Sequence, residues 1–214
     1  MRKWVPVLIV LIAVVASAIM YPQLPERMPT HWSRSGEVTG WSSRFWGAWM
    51  MPLILAGTWL LMRVLPHIDP RRDNYANFRG AYETIIISVM LLMLAAHILI
   101  LESAMGRAIS FERLVPAGVG LMFIVVGIVL PRLHSNWFVG IRTPWTLSSD
   151  LSWKETHRVG GYLFIAVGAV TLLTAVAAPT LTFKVLFAAT LIMVTFVFAY
   201  SYVVWKRDPA RSAS

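Results

Sequence analysis

Six apolar runs, each with few or no charges, divide the chain at residues 4–20, 46–65, 83–101, 114–130, 160–178 and 183–205. Each has close to the length of about 17–25 residues that an α-helix needs to cross a hydrocarbon core. The pattern predicts an all-α, polytopic membrane protein with six transmembrane helices. The polar segments between the runs are unequal. Three are short or simply basic, whereas residues 21–45 and the bridge NWFVGIRTPWTLSSDLSWKETHRVGG (136–161) are long and rich in Trp, Gly and charge.

Composition agrees with the pattern: 57% of residues are hydrophobic, 14% are charged and the mean hydropathy is +0.66, too apolar for an ordinary soluble domain. Cys is absent, which excludes disulfides and thiolate metal sites. A net charge of +9 does not point to direct nucleic-acid binding, because the basic residues are scattered between apolar runs. Their distribution speaks to topology instead. Of the 19 Lys and Arg residues, 13 fall before the first run, in the second and fourth connections and in the tail, and 6 fall in the other connections. Positive loops stay in the cytoplasm, so both termini and the 136–161 bridge are expected there. Arg2-Lys3, an apolar core and Ala16-Ser17-Ala18 also fit a cleavable signal peptide; cleavage would leave five helices in the same orientation.

Within residues 21–45, three prolines predict an extended start, and HWSRSGEVTGW then predicts a hairpin turning at Ser35-Gly36. His31 supplies an imidazole to this loop, and Trp32 and Trp41 offer amphipathic faces suited to an apolar peptide or to lipid headgroups. Gly36 and Gly40 read as turn residues. In the bridge, Ser152-Trp153-Lys154-Glu155 has the form of a capping box and predicts a helix start. Arg142 stands among apolar and aromatic neighbours and needs a partner. Asp150 or Glu155 can supply it internally, and a lipid phosphate or a partner carboxylate externally; we read it as internal. The basic loop at residues 67–80 reads as a charge anchor for anionic lipid. Gly120 and Gly127, and Gly161 and Gly168, are each seven apart and predict close approach of the helices that flank the bridge.

Chemistry is sparse. Glu155 and His157 face different ways on a helix, no H-E-x-x-H or G-x-S-x-G occurs, and no metal site, cofactor or enzymatic activity is expected. A transporter of small solutes or peptides is the alternative class. It lacks intramembrane ionisable groups apart from His97, one turn from Glu102 and a local partner for it.

The bridge residues Asn136, Gly140, Arg142, Thr143, Trp145 and Thr146, followed by Trp153 and His157, resemble the signature N-x-x-x-G-x-R-T-x-x-T of the SdpI family of bacterial membrane proteins. Pro29-Thr30-His31-Trp32, Gly36 and Gly40-Trp41 are similar to the P-x-H-W module that commonly precedes it. The resemblance implies two units: residues 1–65, two helices with an extracytoplasmic HW loop, and residues 66–214, a four-helix region with a cytoplasmic bridge at 131–159. It further implies a multi-pass protein of the bacterial inner membrane that confers immunity to a secreted, membrane-active antimicrobial peptide. A signalling role, holding a small DNA-binding repressor at the membrane, also belongs to the family. His31, Trp32, Gly36, Gly40 and Trp41 would then face the toxin, and the bridge residues would form the cytoplasmic platform.

The charge division makes a direct prediction. Reporter fusions after Asp73 and after Asp150 report a cytoplasmic position, and a fusion within residues 33–40 reports an extracytoplasmic one. The inverse pattern would reverse every side assignment.

Overall fold

The computed structural model describes residues 4–33 and 37–210. Arg2-Lys3 and the expected turn at Ser35-Gly36 lie outside the described residues. Six helices are long and apolar enough to cross a membrane: α1 (Val5–Met20), α2 (Arg44–Ile68), α3 (Tyr75–Ala104), α4 (Phe111–Val129), α6 (Asp150–Ala177) and α7 (Pro179–Lys206), with a one-turn helix α5 (Pro144–Ser148) between α4 and α6. The chain is a multi-pass membrane protein. Its outer surface carries Leu8, Leu11 and Val15 of α1 and Phe187, Leu191 and Ile192 of α7, all exposed, as required where the solvent is hydrocarbon.

Several helices outrun their apolar stretches because polar caps carry them on. The Ser43 side chain accepts from the Trp46 N–H and starts α2 two residues into the preceding polar segment. The start expected at Ser152 is corrected in the same way. Ser149 is the N-cap of α6, accepting from the Ser152 N–H at 3.0 Å. Ser152 lies inside the helix and donates to the Ser201 carbonyl of α7, and Glu155 pairs with Arg158 rather than closing a capping box. A Ser one turn earlier could satisfy the first free N–H groups, so it won the cap.

The hairpin expected after α1 is present. Strands β1 (Arg27–Trp32) and β2 (Val38–Ser43) run antiparallel, pairing Arg27 with Ser43, Pro29 with Trp41 and His31 with Gly40. The strand closes one end of the bundle by burying Met28 beside Leu24, Ala48 and Leu101. Gly47 makes room for it: a Cβ there would stand 2.7 Å from the Met28 sulfur. In the same half, His97 is fully buried but does not pair with Glu102 as expected. Its Nε2 lies 2.9 Å from Ser17 Oγ, which itself donates to the Ala48 carbonyl, and Glu102 pairs with Arg107. A helix end gives Glu102 a loop arginine within reach, while His97 sits a turn deeper with only a neighbouring helix to bond.

The glycine pairs meet as expected. A Cβ on Gly127 would lie 2.6 Å from the Gly161 carbonyl and one on Gly161 2.7 Å from the Gly127 carbonyl; Gly120 and Gly168 repeat the reciprocal arrangement one heptad away. Antiparallel α4 and α6 are therefore in backbone contact along two turns. Dispersion at such close range is the main source of helix association in hydrocarbon, where apolar burial gains little. Helix α7 packs on this pair through Val167, Met193 and Val197, and α1, α2 and α3 pack through Ile9, Ala13, Leu55 and Met90. The two halves meet at the end opposite the hairpin, in a core of Tyr75, Phe78, Tyr82, Leu130, Leu133 and Trp153.

Gly127→Ile should therefore destabilise the folded protein by about 3 kcal/mol, the upper range for overpacking. Gly57→Ile, at a position with nothing within 4 Å, should leave stability unchanged. Unfolding of both variants in mixed detergent micelles checks the difference.

Candidate functional site

Between α4 and α6 the chain leaves the helix at a 3₁₀ turn, Leu130–Arg132, and has no regular structure until α5. Its shape is set by side chains bonding to backbone. Asn136 is fully buried and uses both ends of its amide. Oδ1 accepts from the N–H groups of Phe138 (3.0 Å) and Val139 (2.7 Å), and Nδ2 donates to the carbonyls of His134 and Val139. The tight turn that results needs Gly140 at φ +112°, and a Cβ there would collide with His157 Nε2. Only glycine meets both demands.

His157, about two helical turns inside α6 and fully buried, holds the far side of the turn. The Ile141 N–H donates to its Nε2 at 3.0 Å, so that nitrogen is unprotonated; Nδ1 then donates to the Trp153 carbonyl at 2.8 Å. One neutral tautomer satisfies both bonds. Trp153 stacks on the imidazole with centroids 4.1 Å apart and donates from its indole to the Leu133 carbonyl. Thr143 and Thr146 form a reciprocal capping box that starts α5, Pro144 supplies the fixed φ of a first helical residue, and Thr146 Oγ1 also reaches the Ile141 carbonyl. Thr143 Oγ1 donates to Ser201 Oγ, and Trp145 packs edge-on against Phe198 and at a tilt against Tyr202, so α5 is fastened to α7. At the α6 cap, Ser149 Oγ bonds Asp208 just beyond α7.

Arg142 departs from expectation. It bonds neither Asp150 nor Glu155; its Nη1 donates to the Trp137 carbonyl at 2.8 Å, and the side chain is exposed. The turn around Gly140 points Arg142 back across its own loop, and Glu155 is engaged by Arg158 on α6. The acid that serves the bridge is Asp69, at the end of α2. It is buried, and its carboxyl accepts from the Trp137 N–H, the Tyr75 hydroxyl and the Arg71 N–H at 2.7–2.9 Å. Arg71 donates to Ser135 Oγ and to the Leu147 carbonyl, and Asn74 to the Ser135 carbonyl. The loop read as a lipid anchor is thus in large part the seat of the bridge. Asp69 directly before Pro70 was the available signal, since an acidic side chain at a helix end can accept from backbone N–H groups that the helix leaves free.

The bridge residues singled out by sequence are therefore brought together, but mostly inward. Asn136, Thr143, Thr146, Trp153 and His157 are buried, with Trp153 only 3% exposed. Trp137, 48% exposed, and Arg142 form the outward surface. His134 stacks on Phe78 with nearly parallel rings. At the hairpin end, His31 is exposed and rests on Gly40, where a Cβ would lie 3.0 Å from its ring. Gly40 is thus a cross-strand seat for the imidazole rather than a turn residue. Trp41 is 54% exposed, Trp32 contributes its backbone to β1, and Gly36 lies outside the described residues. Among the described residues, no three His, Asp or Glu side chains are grouped as metal ligands.

Residues 132–203, from the bridge through most of α7, match the SdpI/YfhL protein family. That similarity is confined to the bridge, α6 and most of α7. Residues 8–56, from α1 through the hairpin into α2, match a domain of unknown function, DUF1648. Immunity protein SdpI of Bacillus subtilis (strain 168) is 24% identical over 167 residues, 78% of either chain. No solved structure matches. The region matched to SdpI/YfhL begins at the turn that leaves α4, so it takes in residues 136–161 of the bridge together with most of the helices α6 and α7 that hold it.

Replacing Asp69 tests the seat. Asp69→Ala leaves the Trp137 N–H and the Tyr75 hydroxyl without their acceptor, at a cost of about 3 kcal/mol, and should expose residues 133–143 to protease in membranes. Arg142→Ala removes one exposed bond and should cost less than about 1 kcal/mol, with the bridge still resistant.

Proposed function

We propose that this chain is an immunity protein of the bacterial inner membrane, protecting its cell against a secreted, membrane-active antimicrobial peptide. The observation that carries this reading is the similarity to Immunity protein SdpI over 78% of both chains, well beyond the family region alone. The geometry supports a division of labour. The hairpin, fixed on its bundle end by Met28 and Leu24, offers exposed His31 and Trp41 as a small aromatic surface, with Trp32 in the same strand. An apolar peptide arriving at the outer leaflet meets that surface first. The termini and the bridge lie on the cytoplasmic side, in keeping with the bias of basic residues.

Residues 1–65 act as the toxin-facing module and 66–214 as the platform region. No cofactor, catalytic group or direct contact with nucleic acid enters the reading. A small DNA-binding repressor reaches only the cytoplasmic end, since roughly 30 Å of hydrocarbon separates the two ends. There the available surface is Trp137 with Arg142, residue types enriched at interaction hot spots. Trp153, Thr146 and His157 act beneath it, by holding its shape.

Expression in a sensitive host is the test. The intact chain should raise the inhibitory concentration of a membrane-active peptide without altering uptake or efflux of the labelled peptide. His31→Ala combined with Trp32→Ala or Trp41→Ala should reduce protection by roughly tenfold at normal membrane levels, the scale of a lost hot spot. Trp137→Ala should abolish repressor recruitment and spare protection. Energy-dependent movement of the peptide across the membrane would identify a transporter instead.

A further inference from the structure

At the bridge end, a cleft of about 410 Å³ opens between the N-terminal turn of α1, the last turns of α2 and the first turns of α3. Its depth is apolar, walled by Pro6, Trp59, Ile86 and Ile87. The polar groups within reach are largely spent: the Tyr82 hydroxyl donates to the Met62 carbonyl, and His67 Nδ1 bonds the Arg63 carbonyl. Charge is confined to the rim. Arg79 pairs with Glu83 at 3.1 Å, which leaves Arg63 as the excess cation. Among the described residues Arg63 has no carboxylate partner; its guanidinium lies 5.8 Å from the Trp59 ring centroid, and Leu60, Leu61 and Val64 beside it are exposed on the face of α2.

We propose that this cleft binds one anionic phospholipid, with its phosphate on Arg63 and Arg79 and one acyl chain against Trp59, Ile86 and Ile87. A water-soluble metabolite would find no polar partners in the depth of the cleft and would have to displace apolar surface with polar groups. A lipid meets both parts at once. Its phosphate sits where a bilayer places it, at the ends of the spanning segments, and matches the fork of a guanidinium. Its chain lies along the apolar wall that Trp59, Ile86 and Ile87 present to the cleft. Basic pockets between transmembrane helices are a general means of capturing anionic headgroups. The site is separate from the hairpin surface and borders the seat of the bridge through Tyr75, whose hydroxyl is spent on Asp69.

The full-length protein in neutral detergent, titrated with lipid and read by native mass spectrometry, decides the matter. Phosphatidylglycerol should remain bound as a single molecule, at least about fivefold more tightly than phosphatidylcholine with the same chains, because each basic side chain near an anionic headgroup contributes on the order of fivefold. Arg63→Gln should lower that affinity about fivefold, and Arg63→Gln with Arg79→Gln roughly 25-fold. Arg107→Gln, at the opposite end, should leave it unchanged. Should the double variant fail to fold, Arg63→Gln at its exposed position decides alone. Equal retention of phosphatidylcholine, unchanged binding in Arg63→Gln, or equally tight binding of glycerol phosphate without chains would each overturn the proposal.

Discussion

A peptide group that leaves the helix beside hydrocarbon must find its hydrogen-bond partner inside the protein, and the bridge between α4 and α6 is built around that constraint. Eleven residues without regular structure separate the turn at Leu130–Arg132 from α5, and side chains accept from five of their backbone N–H groups. Asp69 takes the Trp137 N–H, Asn136 those of Phe138 and Val139, His157 that of Ile141 and Thr146 that of Thr143. Each acceptor is buried, so none can be exchanged for water at low cost. The signature residues of this region are first of all the means by which a loop can be rigid without being a helix or a strand.

Rigidity there depends on the helices being held in place. The reciprocal glycine contacts bring α4 and α6 to backbone distance, which fixes the separation of the two ends of the bridge and leaves His157 facing the turn at Gly140. The seat provided by Asp69, Arg71 and Asn74 then joins this half to α2 and α3. Because the same α2 begins beneath the hairpin, against Met28, and ends at Asp69, it runs between the two proposed working ends of the molecule. A pull on one end has a continuous helix along which to act, although Pro52 and Pro66 lie within it.

What the sequence made legible follows from the range of the interactions involved. Apolar runs found all six helices, because hydrocarbon admits little else, and glycine spacing found the α4–α6 contact, since periodicity on two helices is visible without knowing their partner. The proline-rich start and Ser-Gly turn pointed to the hairpin. Pairings between distant segments were not legible in the same way. Arg142 was given a carboxylate nearby in sequence, when the fold aims it at the Trp137 carbonyl. Asp69 looked like one charge in a solvated basic loop, and its role appears only once residue 137 is beside it. Trp153 was legible as a residue of the bridge platform, but its place beneath that platform, with its indole bonded to the Leu133 carbonyl, was not.

Hydrogen exchange of the bridge amides, in protein held in lipid nanodiscs, tests this account most directly. If side-chain acceptors order the bridge, the N–H groups of Trp137, Phe138, Val139, Ile141 and Thr143 exchange slowly, as helical amides do, although they belong to no helix or strand. Exchange of these five amides at the rate of an open loop, with α4 and α6 still protected, would contradict it.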